Sequence, residues 1–289
     1  MSEVVTTWSK WLNNSRFAGS SEEEKQQMNS LLFEIRDTIL DRANLKLNDV
    51  LLDVGTGTGL LAFGAYERLK GAGKVIASDA FLDCVEECYK IAESYGIENE
   101  IIFLQTDAAD TKLPDSSVDV IVTRSVLVHI LDKHKTINEF FRILKHGGRI
   151  SSYEAVMNKN TKFYELINPD NFSNYEKLKE VEDKIISNES DPLLNFNEST
   201  LKENLKNAGF NNIDIIPAEP FSKIDFSKDI VDDWFNSVLS VGQPTIKEKY
   251  LRYLSENEVN EFIENLKTEF SEKIVTINLP KVYISAEKY

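Results

Sequence analysis

The amino-acid sequence predicts an α/β fold in which helices pack against a mostly parallel β-sheet. Between residues 50 and 153, five short apolar segments alternate with segments whose apolar residues recur at helical spacing. This alternation is typical of βαβ units, whose crossover connections are right-handed. The first apolar segment also runs directly into a glycine-rich turn and a helix, which lets the backbone approach a ligand closely.

The first forty-odd residues are predicted to be helical. Trp8 and Trp11 lie at helical spacing in the first apolar-periodic segment. Ser21 and Glu24 have the spacing of a capping box, in which each satisfies a backbone group at the start of a helix. The helix that follows carries an apolar stripe through about Leu40.

The central part of the chain supplies the sheet. The predicted strands cover residues 50–54, 74–78, 101–105, 118–123 and 149–153. The predicted helices between them cover residues 60–69, 82–95 and 132–144. We expect the last of these helices to stop at Gly147 and Gly148, because glycine commonly terminates helices.

After Glu154 the alternation stops. The predicted elements there are a polar helical segment at 157–190, a helix at 201–205, a strand at 211–219, two helices around 231–238 and from 255, and a strand at 281–287. The second of the two late helices begins with another capping box, formed by Ser255 and Glu258.

Composition excludes several classes of protein. The 289 residues include 42% hydrophobic and 28% charged residues, which is ordinary for a soluble globular protein. The formal net charge is −15, with 48 acidic against 33 basic residues. An acidic surface repels phosphate, so we expect no nucleic-acid substrate.

We expect a cytoplasmic protein that does not bind a membrane. No apolar segment is long enough to span a bilayer, and the first residues lack the pattern of a secretory signal. The two cysteines, Cys84 and Cys88, lie four residues apart in a predicted helix and are expected to be free thiols. No cluster of cysteine, histidine and carboxylate residues in the sequence suggests a metal.

The turn after the first strand is the most informative segment. Gly55, Gly57 and Gly59 follow Asp53 in the pattern D-x-G-x-G-x-G. A dinucleotide-binding loop has the pattern G-x-G-x-x-G, with a pyrophosphate at the helix N-terminus. Here the third glycine comes one residue early, and Leu60 stands where the dinucleotide pattern needs it.

Acidic residues follow at the ends of the next two predicted strands. Asp79 follows the second strand, where a carboxylate can accept both hydroxyls of a ribose. Asp107 and Ala108 follow the third strand. Ligands of open α/β sheets bind outside the carboxyl ends of the strands, so these residues are expected to line one site.

These segments resemble class I S-adenosylmethionine-dependent methyltransferases. The D-V-G-T-G-T-G segment resembles their first motif, residues 119–127 resemble their fourth, and residues 139–149 are similar to their E-x-x-R-x-L-x-x-G-G segment. The resemblance covers about residues 45–155. It implies a Rossmann-like, seven-stranded, mostly parallel sheet with an antiparallel last strand and helical cap insertions. It also implies S-adenosyl-L-methionine as cofactor and S-adenosylhomocysteine as product.

The resemblance implies roles for individual residues. The residues expected to bind the cofactor are Asp53, Gly55, Thr56, Gly57, Gly59, Asp79, Ala80, Phe81, Asp107, Ala108, Arg124, Ser125, Trp11 and Arg16. Asp79 would hold the ribose and Asp107 the adenine amino group. Trp11 and Arg16 could close over the cofactor, although packing in the core is an equal alternative for the tryptophan.

A looser resemblance spans nearly the whole chain. Segments at residues 8–19, 123–133 and 191–194 resemble a bacterial subgroup that includes peptide C-terminal carboxyl O-methyltransferases of lanthipeptide-type biosynthesis. His129 departs from that subgroup, which often has an aromatic residue there. The resemblance implies that the methyl acceptor is a carboxylate of a peptide or small natural product.

A carboxylate acceptor would need no general base. It is already ionised at neutral pH, because a terminal carboxyl has a pKa of about 3.3–3.7. A phenol or ammonium acceptor would instead have to lose a proton. The candidate catalytic residues are His129, as base, substrate contact or packing residue, and Arg124, as a two-pronged carboxylate clamp or a structural ion-pair partner.

Two other functions stay open on the sequence alone. One is O- or N-methylation of a hydroxylated or quinone-like metabolite, and the other is a non-catalytic module that senses the cofactor. In each case we expect an N-terminal helical cap at 1–44, a cofactor-binding core at 45–156 and a helical insertion acting as a substrate lid at 157–200. Residues 201–289 would complete the core sheet and carry a helical insertion at 228–272.

Overall fold

The structure is a computed structural model that describes residues 22–172, 174–218, 221–225, 230–271 and 273–289. Trp8, Trp11, Arg16 and Ser21, which have expected roles, lie outside the described residues. The chain divides into two compact units. The described part of the first comprises residues 22–154, 198–216 and 282–289, and the second lies within 155–197 and 217–281.

The elements are numbered in chain order. The strands are β1 (Val50–Val54), β2 (Lys74–Asp79), β3 (Ile101–Gln105), β4 (Val118–Arg124), β5 (Leu144–Ala155), β6 (Asn211–Pro217), β7 (Phe221–Asp225), β8 (Ile274–Asn278) and β9 (Lys281–Glu287). The helices are α1 (Glu22–Arg42), α2 (Leu60–Leu69), α3 (Leu82–Ser94), α4 (Lys133–Ile143), α5 (Tyr175–Ile186), α6 (Glu198–Ala208), α7 (Ile230–Asn236), α8 (Ile246–Leu251) and α9 (Glu256–Phe270).

Seven strands form one sheet in the order β3-β2-β1-β4-β5-β9-β6. The neighbours from β3 to β5 are parallel. β9 runs against β5: near the start of β5 the Gly147 N–H donates to Lys288 O after β9 (2.6 Å), whereas beyond its end the Val156 N–H donates to Pro280 O before β9 (2.9 Å). The predicted fold, a mostly parallel seven-stranded sheet with an antiparallel last strand, is confirmed.

Helices cover both faces of this sheet. Leu51 of β1 and Ile121 of β4 are fully buried, as expected for parallel strands packed on both sides. On one face, Ser151 Oγ of β5 donates to Ile39 O of α1 (2.8 Å). On the other face, Ile121 shares a small apolar cavity with Ile137 of α4. The order reverses between β1 and β4, which creates the crevice in which α/β folds bind ligands.

The start of β5 differs from the prediction. α4 ends at Ile143, and Leu144 already pairs with Val118 of β4, so the glycine pair lies inside the strand. The register against β4 then shifts before Arg149, and Gly147 has a φ of 79°. The prediction of a glycine helix stop was therefore wrong, because the pair lies at a strand irregularity where Gly147 adopts a positive φ.

The second unit is mostly helical. Within the described residues its helices enclose an apolar core, in which Phe235, Tyr250 and Phe262 are among the most buried side chains. β7 and β8 form a separate antiparallel pair that the sequence analysis did not predict. Ile224 of β7 pairs with Val275 of β8 and both pack against this core, whereas Ile274, which opens β8, is 68% exposed. None of the described helices has the length and apolar character needed to cross a membrane.

Residues 157–190 are less helical than predicted. Three short 3₁₀ turns precede α5, at Met157–Lys159, Phe163–Glu165 and Pro169–Asn171. The buried carboxylate of Glu182 accepts the N–H groups of Phe163 (2.8 Å) and Tyr164 (3.2 Å). These backbone donors are therefore satisfied by a side chain, which holds the segment in a turn instead of a continuous helix.

Candidate active site

The glycine turn between β1 and α2 forms a narrow cradle. Gly55, Gly57 and Gly59 have φ values of 68°, 53° and 87°. A Cβ on Gly55 would lie 2.3 Å from Val126 Cγ2, and one on Gly59 would lie 2.4 Å from the Phe63 ring. These two positions require glycine both for backbone conformation and for space.

Asp53 lies beneath this turn and is almost completely buried. Its Oδ2 accepts hydrogen bonds from Thr56 Oγ1 (2.8 Å) and the Ala62 N–H (3.0 Å). Among the described residues its Oδ1 has no hydrogen-bond partner. Burial raises the pKa of Asp53 to about 7, against the lowering effect of those two hydrogen bonds and of the nearby Arg124 charge.

Asp79 connects the end of β2 to the glycine turn. Its Oδ2 accepts the Gly57 N–H (3.0 Å) and its Oδ1 accepts the Phe81 N–H (3.0 Å). Burial raises the pKa of Asp79, although both hydrogen bonds act in the opposite direction. Ala80 and Phe81 follow as exposed residues, with 42% of Phe81 exposed. The turn and the carboxylate are thus held in one hydrogen-bonded unit.

Asp107 lies after β3 and is exposed. Its Oδ1 accepts the Ala109 N–H (2.7 Å), which fixes the carboxylate in a local turn. Ala108 beside it is buried. The pair thus places an accessible carboxylate next to a small buried side chain.

Arg124 ends β4 with its side chain partly buried. Burial lowers the pKa of Arg124, and the neighbouring Tyr153, Glu154 and Asp53 offset this by favouring its charge. Among the described residues the guanidinium forms no hydrogen bond and no ion pair, so the structural salt bridge considered above is absent there. Ser125 follows at a φ of 55°, and its N–H donates to Tyr153 O (2.8 Å).

His129 closes the 3₁₀ turn Leu127–His129 after β4. Burial and the positive charges of Lys133 and Arg124 lower the pKa of His129 to about 4. The imidazole is therefore neutral at physiological pH. It is also a weak proton acceptor, since a general base works best with a pKa near the working pH.

Glu154 is a site residue that the sequence analysis missed. It is fully buried, and its carboxylate accepts the N–H groups of Val126 (3.2 Å) and Val128 (3.1 Å). Ser152 Oγ (2.9 Å) and Thr123 Oγ1 (3.2 Å) donate to the same carboxylate. Glu154 thus fixes the turn between Arg124 and His129, and the only sequence signal for it was an acid at the end of an apolar strand.

The structure brings part of the predicted site together. Asp53, Asp79 and the glycine turn form one connected group, and Arg124 is near enough for its charge to affect Asp53. Cys84 and Cys88 are buried free thiols whose pKa values are raised by burial. The described residues contain no group of three or more histidine, cysteine and carboxylate side chains placed to hold a metal.

Comparison with known proteins agrees with this geometry. The chain is 33% identical over 113 residues to an uncharacterized methyltransferase, YcgJ, of Bacillus subtilis, covering 38% of this chain and 42% of the relative. It is 30% identical over 112 residues to the ubiquinone/menaquinone biosynthesis C-methyltransferase UbiE of Cronobacter sakazakii, covering 38% and 44%. It is 30% identical over 117 residues to phosphoethanolamine N-methyltransferase 1 of Arabidopsis thaliana, covering 40% and 23%. The matches thus span less than half the length of these relatives.

Solved structures share the fold. A putative methyltransferase of Bacillus halodurans superposes with a TM-score of 0.56 at 20% identity, covering 88% of this chain and 98% of that one. Phosphoethanolamine N-methyltransferase 2 of Haemonchus contortus, solved with phosphomonomethylethanolamine and S-adenosylhomocysteine, gives 0.53 at 19% identity, covering 88% and 52%. Residues 45–209, more than half of the chain, match the family described as Methyltransferase domain. The chain therefore belongs to the methyltransferase domain family.

Proposed function

We propose that this chain is an enzyme that transfers a methyl group from S-adenosylmethionine, which it holds along the C-terminal ends of β1 to β4. The observation that carries the proposal is the glycine cradle and its two carboxylates, Asp53 and Asp79. Family membership supports it. So does the shared fold of the Haemonchus contortus protein that was solved with S-adenosylhomocysteine.

The residues present fit this cofactor. The Oδ1 of Asp53, buried and without a partner among the described residues, can accept a hydrogen bond from the ammonium of the methionine part. Asp79 is proposed to hold the ribose hydroxyls, and Asp107 with Ala108 the adenine. Gly55, Thr56, Gly57, Gly59, Ala80, Phe81, Arg124 and Ser125 are proposed to line the remaining surface. Trp11 and Arg16 remain predictions for the undescribed N-terminal segment.

The cofactor would supply an electrophilic methyl group on a sulfonium sulfur. The protein then has to hold the acceptor atom in line behind that methyl group and exclude water. No covalent participation of a side chain is required. The fixed turn after β4, tied to Glu154 by two backbone hydrogen bonds, provides a rigid wall for such positioning.

We also propose that the acceptor is a carboxylate, such as the C-terminal carboxyl of a peptide or a small natural product. Two features support this choice. The guanidinium of Arg124 has no anionic partner among the described residues, and a carboxylate matches its two-pronged geometry. His129, with a pKa lowered to about 4, is a poor base for a phenol or an ammonium group.

The second candidate is O- or N-methylation of a hydroxylated or quinone-like metabolite. The similarity to phosphoethanolamine N-methyltransferase 1 supports N-methylation, and the similarity to the UbiE protein, a C-methyltransferase of ubiquinone and menaquinone biosynthesis, supports a quinone-like metabolite. A module that binds the cofactor without catalysis is the third, and transfer of labelled methyl to any acceptor would exclude it.

The test uses S-adenosylmethionine with an isotope-labelled methyl group and pairs of short peptides that end in a free carboxyl or in an amide. We expect label only on the free-carboxyl peptides, released by mild alkali as methanol. Arg124→Lys should lower the rate, because a point charge cannot reproduce the two-pronged contact. An alkali-stable product formed equally from both members of a pair would contradict the carboxylate proposal.

A further inference from the structure

We propose that Tyr153 and Tyr283, together with Arg124, form the binding site for the methyl acceptor, and that this acceptor carries a carboxylate next to a planar apolar group. The inference rests on the proposed function, whose acceptor side it makes specific. Neither tyrosine was among the residues to which the sequence analysis assigned a role.

The first step is the register of the sheet. Asp53 of β1 pairs with Val122 of β4, and Arg124 of β4 pairs with Tyr153 of β5. Side chains two residues apart on a strand point to the same face, and paired residues of neighbouring strands share that face. Asp53, Arg124 and Tyr153 therefore point to one face, in order across β1, β4 and β5.

Tyr283 of β9 extends this arrangement by one strand. Its ring lies 4.9 Å from that of Tyr153, measured between centroids, with the ring planes tilted by 54°. We call Asp53, Arg124, Tyr153 and Tyr283 the polar row. The row starts at Asp53, the carboxylate proposed to bind the cofactor, and ends in two aromatic rings. A methyl acceptor bound beyond Arg124 would therefore lie against the two tyrosines.

The second step is hydrogen bonding along the row. Among the described residues, neither the Arg124 guanidinium nor the Tyr153 hydroxyl forms a hydrogen bond. Tyr153 is only 8% exposed, so a ligand bound beside it would supply the acceptor that these donors do not find in the described part of the protein. On the opposite face of the same strands, Thr123, Ser152 and Glu154 satisfy one another. At this end of β4 and β5, the donors without a protein acceptor among these residues are those of Arg124 and Tyr153, on the face that carries the row.

The third step is the chemistry of those donors. Burial raises the pKa of Tyr153 to about 12, so its hydroxyl stays protonated and can donate at neutral pH. Arg124 supplies further donors and a positive charge, which favours an anionic ligand and repels an ammonium. Tyr283 is partly exposed and offers a ring against which a planar group can pack. An anion joined to a planar group meets all three requirements.

The test uses three probes with the same ring and different charge: benzoate, benzamide and benzylammonium. Their binding to the full chain saturated with S-adenosylhomocysteine is measured by nuclear magnetic resonance titration. We expect benzoate to bind at least about tenfold more tightly than benzamide, and benzylammonium more weakly than both. Equal affinity for the three probes, or a preference for benzylammonium, would overturn the proposal.

Substitutions assign the contacts. Tyr153→Phe should weaken benzoate several-fold and benzamide less, because the neutral carbonyl of benzamide is a weaker acceptor than a carboxylate, whereas Tyr283→Leu should weaken both. Arg124→Met should remove the preference for benzoate. Tyr95→Phe, at a tyrosine that is 73% exposed outside the row, is the matched control. If benzoate binds equally to the control and to the Tyr153 and Tyr283 variants, the tyrosines are not the acceptor site.

Measuring the affinity for S-adenosylhomocysteine distinguishes a wrong acceptor site from a wrong proposed function. S-adenosylhomocysteine affinity, measured by calorimetry, should be unchanged in Tyr153→Phe and Tyr283→Leu, with melting temperatures close to that of the wild type. Absence of S-adenosylhomocysteine binding by the wild type would refute the proposed function itself. Normal cofactor binding with no effect of the tyrosine variants on benzoate would refute only the present inference.

Discussion

Two neighbouring regions at the carboxyl edge of the sheet are built in different ways. In the glycine-turn region, carboxylates pair with backbone groups: Asp79 accepts the N–H groups of Gly57 and Phe81. In the β4–β5 region, Arg124 and Tyr153 present donors that have no acceptor among the described residues. The first region is a preformed backbone cradle, whereas in the second we propose that the bound methyl acceptor supplies the missing hydrogen-bond acceptors. The glycine motif lies in the first region, whereas Arg124 and Tyr153 of the second lie outside that motif.

The strongest test of a preformed cradle is Gly55→Ala. The new Cβ would lie 2.3 Å from Val126 Cγ2 at a residue whose φ is 68°, so both a steric and a conformational cost apply. We expect a loss of about 2–5 kcal/mol in the free energy of unfolding, together with loss of S-adenosylhomocysteine binding. Thermal unfolding and calorimetry measure the two effects.

Gly96→Ala is the matched control for this substitution. Gly96 has a φ of 71°, and nothing lies within 4 Å of the position of its Cβ. It therefore bears the conformational cost alone, about 1–2 kcal/mol, with cofactor binding unchanged. Equal effects of the two substitutions would show that the glycine turn is not sterically constrained.

The next largest effect is expected for Asp79→Ala. Removal of the carboxylate leaves the Gly57 and Phe81 N–H groups without their acceptor and removes the proposed ribose partner. We expect S-adenosylhomocysteine affinity to fall roughly 100-fold, equivalent to about 3 kcal/mol. Asp79→Asn, which keeps one acceptor oxygen, should lose less. Unchanged affinity in Asp79→Ala by calorimetry would contradict the ribose assignment.

The difference between the two regions also explains what could be predicted from the sequence. The strands β1 and β3 and the helix α2 have the predicted bounds, because apolar runs and glycines determine the backbone there. Glu154 and Tyr153 were missed, because their importance depends on partners in the β4 turn and on β9, far away in the sequence. Spacing in one sequence does not reveal such pairings.

Two other departures have a similar physical origin. The glycine pair at 147–148 fits a helix stop as well as a strand irregularity, and only the pairing with β4 decides between them. The strands β7 and β8 are short and are separated in the sequence by α7, α8 and α9, so no local turn signal announces their pairing. Local sequence patterns predict secondary structure well where burial is regular. They predict it poorly where contacts between distant segments decide which of two structures forms.

Glu154→Gln tests whether the turn after β4 depends on the carboxylate of Glu154. The amide retains one acceptor oxygen, but its NH₂ group would face a backbone N–H in place of the other oxygen. We expect a loss of about 2 kcal/mol in stability. Ser152→Ala, which removes a single donor to the same carboxylate, should cost less. If Ser152→Ala is as harmful as Glu154→Gln, the turn does not depend on Glu154.

A smaller effect is expected from the titration of Asp53. The folded pKa of about 7 lies above the ordinary value, so this carboxyl is partly protonated near neutral pH without ligand. A cofactor ammonium at its free oxygen would favour the ionised form, and binding would release a proton. S-adenosylhomocysteine affinity should therefore rise several-fold from pH 6 to 7.5. Calorimetry in buffers of different ionisation enthalpy measures the number of protons released on binding. A value of zero would exclude a coupling between cofactor binding and the ionisation of Asp53.

The smallest effect on turnover is expected for His129→Phe, which asks whether the second region contains a base at all. His129 has a pKa of about 4 because burial and the charges of Lys133 and Arg124 disfavour its protonated form. With a carboxylate acceptor, which is ionised throughout, the rate should stay flat from about pH 6 to 9 in both the wild type and the variant.

The substitution His129→Phe also predicts a change in the stability of the fold at acid pH. Because the unfolded histidine takes up a proton at a higher pH than the folded one, the wild type loses stability as pH falls from 6.5 towards 4, and the variant should lose less. His134→Phe, at an exposed histidine of α4, is the control for both measurements. A turnover that disappears in His129→Phe, together with a wild-type rate that rises through an imidazole-like pKa, would identify His129 as a base and replace the carboxylate acceptor by a phenol or an amine.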